Sequence, residues 1–136
     1  MKIVFCGSIT GGMEDREIYF QLVDELEKYG EVSSDHKRSF DVTVKEGNLP
    51  ADIHSRDVNY VLKSEVVVAE ITKTSMGVGY ELGRAVAAGK KVLCLYKTDF
   101  EKISPMITGC PYIKCKKYGN LQEAAIILKQ YFNEIK

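Results

Sequence analysis

Val66-Val67-Val68-Ala69 narrows the fold of this chain more than any other segment. Four apolar residues in succession, three of them β-branched, stand between Glu65 and Glu70 and leave no polar face. A strand of that kind must be covered on both sides, as a central strand of a parallel sheet is. Parallel neighbours in turn need crossover connections, usually helices.

The rest of the chain supplies them. Residues 2–6 form a short apolar run ending in Gly7, and a polar, glycine-rich turn follows through Ser8, Gly11 and Gly12. Ile18, Leu22, Leu26 and Tyr29 recur at helical spacing, with Gly30 as the stop, and a strand over residues 31–33 comes next. Residues 35–50 carry charge, glycine and proline without a sustained period, which makes a loop long enough to cover a ligand. Residues 51–64 return to helical spacing ahead of the valine strand.

A second glycine-rich turn, 74–79, precedes a helix predicted over about 80–88 and closed by Gly89, with Gly83 and Ala87 allowing it to pack closely. Strands follow at 91–96 and near 112–115. Leu121, Ala125, Leu128, Phe132 and Ile135 lie on one side of the last helix. This alternation predicts an α/β fold, a doubly wound parallel sheet of five strands in flavodoxin-like or Rossmann-like order. Both glycine-rich turns then open at the strands' carboxyl ends, where ligands bind in such sheets.

The length, 136 residues with 45% apolar, fits one compact domain. Lys plus Arg equals Asp plus Glu at 19 each, so no net basic field draws in a nucleic-acid polymer or an anionic membrane. The N-terminal apolar run is too short for a signal peptide or a membrane span, which predicts a cytoplasmic protein. Cys6, Cys94, Cys110 and Cys115 show no CxxC spacing and no neighbouring histidines, so neither a metal site nor any other cofactor is expected and the thiols read as reduced.

Two turns carry candidate chemistry. Cys6-Gly7-Ser8-Ile9-Thr10-Gly11-Gly12 lacks both the P-loop lysine and the ordered GxGxxG, which argues against a nucleoside triphosphate or NAD. Its glycine amides and the Ser8 and Thr10 hydroxyls suit a small anion, although many such turns bind nothing. The run Ser75-Met76-Gly77-Val78-Gly79-Tyr80-Glu81 sets a carboxylate in the predicted opening turn of a helix, where the dipole favours its ionised form by about 0.3–1 kcal/mol. Glu81 is then either a nucleophile or a dipole partner and no more.

Asp57 lies four residues from both Ile53 and Val61, inside the apolar stripe of its helix. An inward carboxylate must pair, reach a solvated crevice or take up a proton, so Asp57 is a catalytic candidate or a structural partner of Arg56 or Arg84. His36, between Asp35 and Lys37, is a ligand contact or a solvated loop residue, and His54 reads as a packing or helix-surface residue.

These blocks together resemble the 2′-deoxynucleoside 5′-phosphate N-hydrolases within the nucleoside 2-deoxyribosyltransferase superfamily. The resemblance rests on Ser75 to Ala85, Phe5-Cys6-Gly7-Ser8-Ile9, Asp57-Val58-Asn59 and Val66 to Glu70, and makes residues 1–136 one such domain. It implies that Glu81 attacks the anomeric carbon to form a 2-deoxyribosyl ester that water hydrolyses. It implies that Asp57 works on the leaving base or holds the sugar hydroxyl, and that Ser8, Ser75 and Gly77 bind the 5′-phosphate. Gly7, Ile9, Thr10, Gly11 and His36 are the remaining substrate contacts expected. Ser104 resembles a serine that reaches the phosphate from a second subunit, so a homodimer is implied.

Val4 stands where the family commonly has a tyrosine, and Thr10 where it has an arginine. The phenol that would orient Glu81 and one phosphate-binding cation are therefore absent, with Tyr80 or another group as a possible substitute. Three competing readings remain at this level: a deoxyribosyltransferase acting on unphosphorylated nucleosides, a non-catalytic nucleotide-binding module, and an electron carrier supported by fold analogy alone.

Overall fold

The computed structural model describes residues 1–8, 13–37 and 49–136, and the side chains of 13–15 lie outside the description. Five strands, β1 (Lys2–Gly7), β2 (Glu31–Ser33), β3 (Val66–Glu70), β4 (Lys91–Tyr96) and β5 (Ile113–Lys117), form one sheet in the order β2-β1-β3-β4-β5. Every pairing is parallel. This is the flavodoxin-like variant of the expected fold, with its switch point between β1 and β3.

Among the described residues the helices are α1 (Met13–Leu26), α2 (Pro50–Lys63), α3 (Met76–Ala87), the single turn α4 (Pro105–Thr108) and α5 (Leu121–Glu134). A 3₁₀ turn at Phe100–Lys102 precedes α4. Alternation along the strands sorts the core into two layers. Ile3, Phe5, Val66, Val68, Leu93 and Leu95 meet α1 and α5 through Tyr19, Leu22, Leu26, Leu128 and Phe132. Val4, Cys6, Val67, Ala69, Val92 and Cys94 meet α2 and α3 through Val61, Val78, Leu82 and Ala85.

The valine run behaves as its composition requires, since every residue of β3 is buried. The two edges differ from it: β2 is only 3 residues long, and β5 carries Lys114, Lys116 and Lys117 beside half-buried Ile113 and Cys115.

Three expectations are corrected. Helix α3 begins at Met76 rather than near residue 80, because the Ser75 hydroxyl caps it by accepting the Val78 N–H and the glycines continue the helix instead of forming a turn. Gly83 and Ala87 are exposed, with nothing within 4 Å of a Cβ placed at Gly83, so they bring no element close. Buried Val78, Leu82 and Ala85 seat the helix instead. In α5 the buried small residue is Ala124, with Ala125 only half-buried.

The predicted stop at Gly89 has a clear cause. Its φ of +73° lets Gly89 N–H bond Val86 O and Lys90 N–H bond Ala85 O, closing α3 with a pair of reversed bonds.

Replacing Leu22, fully buried between α1 and the sheet, with alanine is expected to cost about 2–5 kcal/mol of unfolding free energy. Urea titration followed by circular dichroism measures it.

Candidate active site

Where β1 ends at the sheet's switch point, a narrow crevice collects most of the chemistry in the described residues. It is lined by Val4, Phe5, Cys6, Gly7, Ser34, Asp35, His36, Asp57, Tyr60 and Glu81. Its free space is about 20 Å³, room for a water-sized group beside converging side chains.

Glu81 enters from α3 as the sixth residue of that helix. It therefore sits in the second turn and not the first, beyond the reach of most of the dipole's effect. Its surroundings are set by packing: the neighbouring Leu82 is buried against the sheet, and Glu81 Oε2 accepts a hydrogen bond from Cys6 Sγ at 3.1 Å. The sequence marks Cys6 only as one of four reduced thiols. The signal for more was its place, since it is the last residue of β1 pointing toward α2 and α3 before Gly7.

Burial pushes the Cys6 thiol far above its ordinary range, and the nearby charge of Glu81 followed by its hydrogen bond, Asp57 and Asp35 push it further. Cys6 thus remains a neutral donor. It also belongs to a row crossing the sheet in register, Cys6 beside Ala69, Ala69 beside Cys94 and Cys94 beside Cys115.

Asp57 faces the crevice from α2 with 17% of its side chain exposed, as its place in the apolar stripe requires. It is ion-paired: Arg56 Nε lies 3.2 Å from Asp57 Oδ1, while Arg56 Nη2 lies 3.4 Å from Asp35 Oδ1. Asp57 therefore lines the crevice and is at the same time the structural partner of Arg56. Arg56 is the partner of Asp57 that the sequence offered, whereas Tyr60 and the second link from Arg56 to Asp35 were not singled out, because nothing along the helix signals that an arginine reaches between two acids. Burial raises the Tyr60 phenol, Arg56 opposes, and Asp35 and Asp57 add to the rise, so this hydroxyl keeps its proton.

His36 is not a solvated loop residue. Its Nε2 lies 3.0 Å from Gly7 O, its backbone N–H donates to Ser34 Oγ at 3.0 Å, and its ring meets Tyr19 at 4.7 Å between centroids. A carbonyl only accepts, so Nε2 carries the proton. Gly7 makes the approach possible: a Cβ there would stand 3.1 Å from Tyr19 Cε2 and 3.3 Å from His36 Nε2. Ser8 follows, buried at the strand's end. Ile9, Thr10 and Gly11 lie outside the described residues, as does most of the loop after His36.

The second turn opens elsewhere than expected. Ser75 lines not this crevice but a groove of about 280 Å³ against α3, shared with Ile71, Thr74, Val78, Leu82 and Ser104. Both serines come from one chain. Each is also a helix cap, Ser75 Oγ accepting from Val78 N–H at 3.3 Å and Ser104 Oγ from Met106 N–H at 3.2 Å. Gly77 is exposed in the first turn of α3. Met76 and Met106, 92% and 82% exposed, also line the groove.

Beneath that turn sits Glu70, buried at the end of β3. It accepts from Thr72 N–H at 2.7 Å, from Thr72 Oγ1 at 2.8 Å and from the Tyr118 hydroxyl. Thr72 Oγ1 in turn accepts from Lys97 N–H at 2.9 Å. This buried carboxylate ties the approach to Ser75 to the ends of β4 and β5. Across α2 and α3, His54 Nε2 and Arg84 Nη1 both meet the Tyr80 hydroxyl, at 2.8 and 2.9 Å, so Tyr80 is engaged on the outer face of α3.

Residues 3–124 match the sequence profile described as nucleoside 2-deoxyribosyltransferase, and the chain belongs to that family. Within it, the chain is 42% identical over 141 residues to a 5-hydroxymethyl-dUMP N-hydrolase of Danio rerio, covering 99% of this chain and 98% of the relative. It is 46% identical over 112 residues to a protein of Nematostella vectensis provisionally named 2′-deoxynucleoside 5′-phosphate N-hydrolase 1, covering 79% and 76% of the two chains. The fold is shared with a solved CMP N-glycosidase of Clostridium botulinum, at a TM-score of 0.68 and 20% identity over 96% of this chain and 99% of that one. No helix among the described residues is long and apolar enough to cross a membrane.

The thiol row yields a prediction. Cys115 is half-exposed and its thiol is lowered by the hydrogen bond with Cys94, which is itself raised and buried. Thiolate is the reactive form. Brief alkylation of the native protein near neutral pH should label Cys115 well ahead of Cys6 and Cys94, as read by peptide mass spectrometry.

Proposed function

We propose that this protein hydrolyses the N-glycosidic bond of 2′-deoxynucleoside 5′-monophosphates to free base and 2-deoxyribose 5-phosphate, with Glu81 as the nucleophile. The observation that carries this reading is the meeting of Glu81 and Asp57 in one crevice. Family membership and relatives named as N-hydrolases of deoxynucleotides support it.

In the first step a Glu81 oxygen bonds to C1′ while the C1′–N bond breaks, and the electron pair leaves with the base, which takes its proton from solvent water. Water then attacks C1′, gives up a proton and releases Glu81 as carboxylate, so two inversions leave the anomeric configuration retained. Held by Arg56, Asp57 is set up as an acceptor. That suits binding a sugar hydroxyl and taking the proton from water in the second step better than protonating the base.

Charge separates the two ends of the substrate. Asp35, Asp57 and Glu81 surround the crevice with Arg56 as the described guanidinium among them, an environment that repels phosphate. The start of α3 does the reverse, with the Met76 and Gly77 amides left over once Ser75 caps Val78 N–H, exposed Gly77 and the Ser75 hydroxyl, whose proton remains to donate. Gly77 and Glu81 share a helix face four residues apart, a rise of about 6 Å, the order of the span from phosphorus to C1′ in a sugar 5-phosphate. Gly7, Ser8, Ile9, Thr10 and Gly11 complete the sugar and phosphate contacts, and His36 serves the sugar or base.

The working unit in this proposal is a cytoplasmic homodimer in which Ser104 reaches the partner's phosphate. Exposed Met76 and Met106 beside the serine groove support a covering subunit. Mixing the Glu81→Ala and Ser104→Ala proteins tests it. A contact in trans restores base release in the mixed dimer, whereas a contact within one chain restores none.

Incubation with deoxynucleoside monophosphates is expected to release free base, resolved by liquid chromatography. Glu81→Ala abolishes release, and Asp57→Asn slows it by about 100-fold or more. Removing the phosphate costs most of the activity, and Ser75→Ala part of it. Equal reaction of unphosphorylated deoxynucleosides would favour a transferase, and nucleotide binding without base release would favour a binding module.

A further inference from the structure

Glu81 needs more than a place in the crevice, because a glutamate side chain has several rotors and its carboxylate plane must be set before it can attack. Val4 and Cys6 both face α3 from β1. Val4 offers no polar atom, and Cys6 does: its Sγ donates to Glu81 Oε2 at 3.1 Å from a position 3% exposed. We propose that Cys6 is a positioning residue for the nucleophile, its thiol hydrogen bond fixing one carboxylate oxygen so that Glu81 is aimed at the anomeric carbon. This rests on the hydrolase reading and deepens it.

The chemistry of a thiol suits the task. As the C1′–O bond forms, negative charge drains from Glu81, so any donor bound to it holds the reactant more strongly than the transition state. A strong donor would orient the carboxylate but blunt its attack. S–H is a weak donor, so it biases the geometry at small cost to nucleophilicity. Its surroundings are apolar, among Val4, Ala69 and Cys94, which strengthens a weak bond enough to hold. The thiol also stays protonated beside three carboxylates, since burial and then Glu81, Asp57 and Asp35 all raise it. It therefore never becomes an anion competing for the same carbon.

The test compares the unmodified protein with Cys6→Ala, Cys6→Ser and Glu81→Ala. Infrared spectroscopy identifies the Cys6 S–H stretch as the band lost in Cys6→Ala, and Glu81→Ala is expected to shift it toward the frequency of a free thiol. In base release, Cys6→Ala should lower kcat about tenfold, the scale of one modest hydrogen bond, with KM little changed, and Cys6→Ser should recover most of the loss. A donor to the ionised carboxylate lowers its pKa, so removing the thiol raises it. The acid limb of kcat/KM should move to higher pH in Cys6→Ala and back in Cys6→Ser.

An S–H band indifferent to Glu81→Ala overturns the proposal whatever the activities show. So does an equal loss of kcat in the alanine and serine variants with an unmoved acid limb, the signature of packing alone. A band that responds in a protein releasing no base from any deoxynucleotide locates the failure in the hydrolase reading, and the positioning role falls with it.

Discussion

The crevice depends on how α3 is seated on the sheet. Val78, Leu82 and Ala85 are spaced at intervals of four and three, and all three are buried against β1, β3 and β4. Each helical residue is turned about 100° from the last. Burying Leu82 therefore swings Glu81 off the core and over the end of β1, where Cys6 and Gly7 wait. The apolar contact does the aiming, and the polar one refines it. Loss of the Leu82 seat would rotate the carboxylate out of the crevice without touching any polar residue.

The same helix divides the charge. Its first turn offers amides and a capping hydroxyl, and its second turn offers a carboxylate opposed by Asp57 and Asp35 across the crevice. On the proposed reading, an anion and an electrophilic carbon would be held one turn apart on a single rigid element, which sets their spacing more firmly than two loops could. The buried Glu70 network below keeps the turn before Ser75 in place, since its carboxylate is shared by Thr72 and Tyr118.

The fold was largely legible because strand and helix periods differ and because β3 has no polar face to hide. Strand positions came within two residues of those found. The start of α3 was misread, as Gly77 and Gly79 mimic a turn while the Ser75 cap that overrides them depends on geometry. Of the site, Asp57 could be found because a carboxylate inside an apolar stripe demands an explanation, and Glu81 because it sits in the block from Ser75 to Ala85 that carries the resemblance, although the opening-turn position argued for it is a second-turn one. Cys6 and Tyr60 could not, since a thiol in a strand and a tyrosine near an apolar face have ordinary uses, and Arg56 was legible only as a structural partner of Asp57. Their roles arise from chain segments far apart in sequence meeting at one strand end.

The borders of the sheet carry a consequence of their own. A bare strand border is a template on which another molecule can continue the ladder, and from there a fibre can grow. Here one border is cut to three residues in β2, and the other, β5, bears Lys114, Lys116 and Lys117. An incoming strand of the same kind would bring ammonium groups face to face at every second rung. Copies of this chain are thereby steered away from open-ended stacking and left to meet, if they meet, through their helices.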